Sequence, residues 1–386
     1  LIIFILLFKD ISKKKSLIFL SSLVISILFT IYFYPNFLNK FVIFEGGNDG
    51  LLYVHFAHLI SEHISYGNYK LAFMGGEKAY DLMPFYRYVW VINYFLFEES
   101  PWMLIFIITF FPLVIYKIFF ELLGKKWSIY FIIFWFFIPF FEAFGFFHFY
   151  YVKLTLRGFG EPLSYLCFLT SLLYLIKFYK NCTLINYTNT YIFSLLLALS
   201  IGLRANILPA CLIMLIFYIL LNYRNKKNIN YFFLILGFSI VLVMPIHNYM
   251  FTGKFIPLTI AAYKDWNLGA RPSDYIILFK SLITLNFDII TWKKIIGHVH
   301  GEIKLYEIWY HLSIIICFYY SLKKKSPLAI RCIALSALSL ISLLLFYHVG
   351  GRYSYLAWTL GLMVLSYWFK YEVLPCIKKF RQLDAT

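Results

Sequence analysis

The sequence predicts an all-α protein, a polytopic transmembrane bundle of about ten helices forming a single integral membrane domain over residues 1–386. Three observations predict it. Of the 386 residues, 62% are hydrophobic and only 14% charged, with mean hydropathy +0.77; a water-soluble chain of this length needs far more polar surface. Long apolar runs recur from one end of the chain to the other. The basic residues behind a net charge of +17 gather in short clusters beside those runs. In a soluble protein such a charge would suggest nucleic acid, but no nucleic-acid-binding pattern is present, and the clusters point instead to membrane orientation. Membrane lipids with acidic headgroups, or an anionic lipid-linked substrate, suit this charge. Abundant Phe and Tyr, 44 and 33 residues, suit rings held at headgroup depth.

A helix needs about twenty apolar residues to span a bilayer. The predicted spans are 17–34, 102–123, 127–141, 162–179, 190–203, 205–222, 230–249, 306–322, 327–346 and 354–370. The stretch Leu1–Phe8 is too short to cross, and 17–34 reads as a retained signal anchor. Residues 88–97 are apolar but short, and read as an interfacial or re-entrant piece. Lys13–Lys15, Lys125–Lys126, Lys177 and Lys180, Arg224–Lys227, Lys323–Lys325 and Lys370–Arg381 then fall on one side, which is the cytoplasmic one. This places 1–16 and 371–386 in the cytoplasm. Two long segments, 35–101 and 250–305, lie outside, joined by outer turns at 142–161, 203–205 and 347–353. The six cysteines form no CxxC pair and mostly sit in apolar segments, so neither a disulfide nor a cysteine-bound metal is expected.

The first outer segment opens with Glu45-Gly46-Gly47-Asn48-Asp49-Gly50. Leu52, Phe56, Leu59 and Ile60 then share one face of an expected amphipathic helix, suited to lying on the membrane. Asp49 and Tyr53 are four apart on another part of it. Asp49 reads as a general base that takes a proton from an acceptor hydroxyl, or else Asn48 or Asp49 is an N-cap; both readings stand together. His55, His58 and Glu62 lie on one stripe and admit a divalent metal, with a solvated polar face as the competing reading.

The outer turns carry arginines against the usual inside bias. Arg157 precedes a helix in Arg157-Gly158-Phe159-Gly160-Glu161-Pro162, Arg204 sits between two apolar segments, and Arg352 follows Gly350-Gly351. As a set they suit a phosphate or diphosphate at the interface, held by forked hydrogen bonds. Snorkelling to headgroups, or pairing with Glu45, Glu142 or Glu161, competes for each one. Glu161-Pro162 suits a helix start and could also orient an arginine or a metal. His247-Asn248-Tyr249 ends a helix, Gly253 reads as a turn and Lys254 as exposed. No nucleotide-, serine-hydrolase- or zinc-peptidase-type motif occurs, so ATP hydrolysis and redox chemistry lack support.

In order along the chain stand Asn48-Asp49-Gly50-Leu51-Leu52-Tyr53, Met83-Pro84-Phe85-Tyr86-Arg87-Tyr88, Glu161, Arg204, His247-Asn248-Tyr249 with Gly253-Lys254-Phe255-Ile256-Pro257-Leu258, and Arg352-Tyr353. In this the chain, over about residues 17–370, resembles the GT-C superfamily of membrane glycosyltransferases. The nearest branch is that of protein mannosyltransferases and aminoarabinose transferases (family 39-like). The resemblance implies a polyprenyl-phosphate or polyprenyl-diphosphate sugar donor and transfer with inversion. It implies a glycan, lipid or protein acceptor on the outer face of a bacterial inner (plasma) membrane. It assigns the base to Asp49, with Glu45 as second candidate, and lipid phosphate to Arg204 and Arg352. Arg157 joins them by sidedness, and Tyr53, Arg87, Glu161, His247 and Lys254 complete the candidate substrate-binding set. The family's paired acidic motif is Asn48-Asp49 here, with a single carboxylate. A polysaccharide polymerase or ligase, which needs no acidic base after the first helix, is the alternative reading. So is a lipid-linked sugar flippase or other transporter, which would carry charges deep within several helices.

Overall fold

The structure, a computed structural model, describes residues 28, 32, 43–44, 48–81, 83–137, 147–225, 231–257, 259–260, 272–286, 289–304, 308–342 and 352–377. Among these there is no strand. The helices run α1 Asn48–Ser65, α2 Tyr69–Met74, α3 Pro84–Phe97, α4 Trp102–Ile108, α5 Phe111–Leu123, α6 Lys125–Phe137, α7 Phe147–Leu156, α8 Glu161–Lys180 and α9 Tyr187–Leu203. They continue as α10 Leu208–Arg224, α11 Tyr231–Phe238, α12 Val243–Thr252, α13 Pro272–Thr284, α14 Ile289–Lys304, α15 Ile308–Leu322, α16 Leu328–Ile341 and α17 Tyr355–Trp368.

Five stretches among the described residues are long and apolar enough to cross a membrane: Trp102–Leu123, Glu161–Lys180, Ala205–Arg224, Tyr231–Thr252 and Tyr355–Ile377. Each coincides with a span predicted from sequence. Three more predicted spans are apolar helices short of that length, Tyr187–Leu203, Ile308–Leu322 and Leu328–Ile341. The span at 127–141 is helical from Lys125 to Phe137, and 17–34 lies outside the described residues apart from Leu28 and Tyr32. A membrane protein built of helices is the class that these lengths define, because only closed hydrogen-bonding elements survive in hydrocarbon.

The chain divides into two compact, interleaved units. The first takes the described residues up to Tyr174 with Thr190–Arg204 and Phe233–Thr259; the second takes Leu175–Asn189, Ala205–Phe232 and the described residues from Ile260 on. In the first unit α1 packs along α3, and their inward rows supply one core: Tyr53, Val54, Ala57 and Ile60 against Phe85, Tyr86, Trp90 and Val91. Small residues let its helices close tightly, as is usual without a strong hydrophobic drive between them. A Cβ on Gly202 would stand 2.1 Å from the Phe85 ring, and one on Gly237 2.1 Å from Ser194 Oγ. In the second unit α15, α16 and α17 pack on one another, and α10 on α16. There Gly361 abuts Ser313, and Tyr310 meets Trp358 edge-on at 5.4 Å.

Two expectations change. The stripe expected to lie on the membrane surface is largely core: Phe56 and Ile60 are buried, and only Leu52 of the four is exposed. An apolar stripe has the same period whether lipid or protein covers it, and here α3 covers it. Residues 147–156, predicted as part of a short outer turn, form helix α7, which packs on α4 and α6 and buries Tyr150, Tyr151 and Leu154.

Candidate functional site

The site is built in the first unit where the start of α1 meets the turn between α7 and α8. As described, helix α1 runs from Asn48, with Asp49 in its first turn. Asp49 there complements the positive end of the helix. At the end of α7 the Gly158 N–H reaches Thr155 O and the Phe159 N–H reaches Leu154 O, each at 3.0 Å. This closure needs the left-handed φ of 75° that Gly158 supplies. Gly50 presses on the same turn, where a Cβ would stand 1.8 Å from the Arg157 carbonyl oxygen. Two glycines thus bring the Asp49 end of α1 against the Arg157 backbone.

Three residues on, Glu161 opens α8 and is fully buried. Arg204, just past α9, donates from Nη2 to Glu161 Oε1 at 2.5 Å, with its side chain still 13% exposed. The pair is held in register by a reciprocal staple. Ser164 Oγ donates to Ser200 O and Ser200 Oγ to Ser164 O, both at 2.9 Å. This ties the first turn of α8 to the last turn of α9, one turn from the ion pair. An arginine so buried would be costly without a carboxylate beside it. Glu161 therefore both starts a helix and orients Arg204, as the sequence allowed.

Tyr53 lies one turn beyond Asp49 and is buried against Tyr86, ring to ring at 4.9 Å, edge-on. Burial pushes its phenol up. Arg204 acts against that shift, Glu161 adds to it, and Arg87 and Asp49 are close enough to act as well, in opposite senses. The Tyr86 phenol is pushed up by burial too. Asp49 and Tyr53 of α1, Glu161 and Arg204 thus come from three places in the sequence into one neighbourhood. It offers a carboxylate, a neutral phenol and a carboxylate-oriented guanidinium.

Arg87 and His247 belong to a second cluster in the same unit. The Arg87 guanidinium donates to Gly75 O at 2.6 Å and pairs with Glu77 at 2.7 Å. It also lies over the Phe56 and Tyr80 rings, at 4.1 and 4.8 Å from their centroids. Tyr80 stacks on His247 at 3.6 Å, and its N–H donates to Asn248 Oδ1. His247 Nε2 lies 3.0 Å from Met74 O, and Asn248 Nδ2 donates to Ile256 O. These side chains clamp the turn at 75–81 onto α12. Burial pushes the phenols of Tyr80 and Tyr88, which share a hydrogen bond of 2.8 Å, up from the usual range.

Arg352 belongs to the second unit, where it donates to the Tyr353 hydroxyl at 2.7 Å. Lys254 is exposed after the left-handed Gly253, its N–H bonded to Thr252 Oγ1. Glu45 lies outside the described residues. His55, His58 and Glu62 share no metal-holding group, since none forms among the described residues; His58 meets Tyr94 edge-on. Sequence reasoning missed Ser164 and Ser200. The signal for them is a small polar residue inside each of two apolar helices, which calls for a partner. It missed Glu77 as the partner of Arg87, because a turn sets that pairing.

Fold and site together define a helical membrane protein with a charged, partly buried cluster at helix ends. No family model, curated protein or solved structure matches this chain.

Proposed function

We propose that this chain is a GT-C-like glycosyltransferase of the bacterial plasma membrane, moving a sugar from a polyprenyl-phosphate or -diphosphate donor to an acceptor on the outer face. The observation that carries the reading is the buried Glu161–Arg204 pair, with the Asp49 end of α1 packed through Gly50 on the turn just before Glu161. In the reaction the acceptor hydroxyl attacks the anomeric carbon from the face opposite the leaving group. The bond from that carbon to the donor phosphate oxygen breaks, and the polyprenyl phosphate or diphosphate leaves. Asp49 takes the acceptor's proton. Arg204, aimed by Glu161, and Arg157 meet the charge that develops on the leaving phosphate. Tyr53 stays a neutral hydrogen-bonding phenol. Arg352 enters through the resemblance alone. In this reading the shorter apolar helices cross the membrane as well, giving about ten spans with the basic clusters inside.

The test is sugar transfer in membranes holding the wild type or Asp49→Asn at equal protein level, from labelled polyprenyl-phosphate sugars to extracted envelope acceptors. Loss of a general base lowers transfer by about 10²-fold or more. Equal transfer by both would remove Asp49 as base and favour the polymerase or ligase reading.

A further inference from the structure

In the second unit α13 and α14 pack on one another as a hairpin. In sequence it lies between the membrane-length stretch Tyr231–Thr252 and the apolar helix α15. The hairpin is built inside out. Beside Ile295 it buries Ser281 and Thr291, 5% and 8% exposed, and turns most of its large apolar side chains outward. Around the end of α13 and the start of α14, Ile283, Leu285, Ile289 and Ile290 are 67%, 77%, 64% and 81% exposed. Leu285 also holds φ at 55°, a left-handed conformation that a leucine adopts only against its local preference. In water this arrangement is unfavourable at every one of these positions.

The exposed faces are not purely apolar. On α13, Ile276, Phe279 and Ile283 stand at i, i+3 and i+7, flanked by exposed Lys280. On α14, Ile289, Lys293, Ile296 and His300 follow at i, i+4, i+7 and i+11, all exposed. Lys294 pairs with Asp274 of the facing helix. Apolar side chains edged by lysines match the boundary between acyl chains and anionic headgroups, where a lysine stem lies in the apolar layer and its ammonium reaches phosphate. Among the described residues neither helix counts as an apolar span, and crossing would carry Lys280, Lys293 and Lys294 into hydrocarbon.

We propose that the α13–α14 hairpin is a membrane-surface anchor. The end of α13, with Ile283 and the Leu285 that follows it, and the start of α14, with Ile289 and Ile290, enter the upper acyl region of the bilayer that holds the chain, and Lys280 and Lys293 sit against lipid phosphates. The anchor does not depend on the reaction proposed above. It is also the surface element that the sequence placed on α1.

The test uses the full chain in nanodiscs containing phosphatidylglycerol. Cys182 and Cys376, the two cysteines that are not buried, are replaced with serine. A fluorophore is attached at Leu285→Cys or, as control, at Ser273→Cys, an exposed position near the start of α13. Elution matching the unlabelled chain shows that the fold is kept. Lipid carrying a nitroxide on an upper acyl carbon is expected to quench the label at 285 several-fold more than that at 273, with aqueous iodide giving the reverse order. Replacing Lys280 and Lys293 together with glutamine is expected to weaken lipid quenching at 285. Iodide quenching at 285 equal to that at 273 would overturn the anchor. So would shielding of 285 from both quenchers, which would mean that a second copy of the chain covers the hairpin.

Discussion

Glu161 has no exposed surface and pairs with Arg204, whose side chain is only 13% exposed, so water does little to relax the pair. Glu161→Gln leaves a guanidinium facing a neutral amide in a largely dry setting. The expected loss of stability is about 3 kcal/mol, at the lower end for a broken buried pair because Arg204 keeps some solvent contact. Thermal unfolding in detergent checks it. Asp274→Asn, which removes the surface partner of Lys294, is expected to cost less than about 1 kcal/mol in the same assay. Equal losses would mean that the Glu161–Arg204 pair is solvated. A second residue-scale prediction follows from the phenols of Tyr53, Tyr80, Tyr86 and Tyr88, all pushed up by burial. In the unfolded chain they ionise near pH 10; in the folded chain they hold their protons longer. Stability is therefore flat with pH through neutrality and falls as pH rises above about 10, where the unfolded state binds fewer protons. Thermal midpoints measured at rising pH check the sign. Asp49, Glu161 and Arg204 were legible in the sequence because charges beside apolar helix ends stand out. The clamp around Arg87 was not, since Gly75, Glu77 and Tyr80 reach it only through the folding of a turn.

At the scale of elements, the approach of α1 to the α7–α8 turn rests on Gly50. A side chain there meets a backbone carbonyl, which cannot rotate away. Gly50→Ala is expected to cost about 2 kcal/mol or more, as overpacking does, and to abolish transfer by displacing Asp49. Gly67→Ala is the matching control. Gly67 has a φ of 72° and nothing within 4 Å of its Cβ position, so only backbone strain of about 1 kcal/mol applies. Unfolding curves of the two variants check this, and similar losses would make the close contact at Gly50 unimportant. The helix starts at Glu161 and Tyr355, and the turn at Gly253, were readable from local signals: proline, glycine and the ends of apolar runs. Helix α7 was not. Its burial depends on packing against α4 and α6, which its own residues do not report.

For the whole molecule, the basic clusters give a sidedness that labelling can test. Single cysteines at Lys125 and Lys324 are expected to resist a membrane-impermeant thiol reagent in intact cells, and those at Tyr66 and Lys254 to react. Reaction at Lys125 or Lys324 would reverse that part of the topology, and with it the face on which the proposed chemistry stands. By itself the sequence determined the class of protein, because composition and the length of apolar runs report directly on the solvent around a helix. It also determined where most helices lie and which charged residues sit at their ends. Only the tertiary structure decided which apolar faces meet protein and which stay open. The α1 stripe is closed by α3, while the α13–α14 hairpin keeps its apolar side chains outward. Periodicity is the same in both, and what covers a face is set by elements distant along the chain.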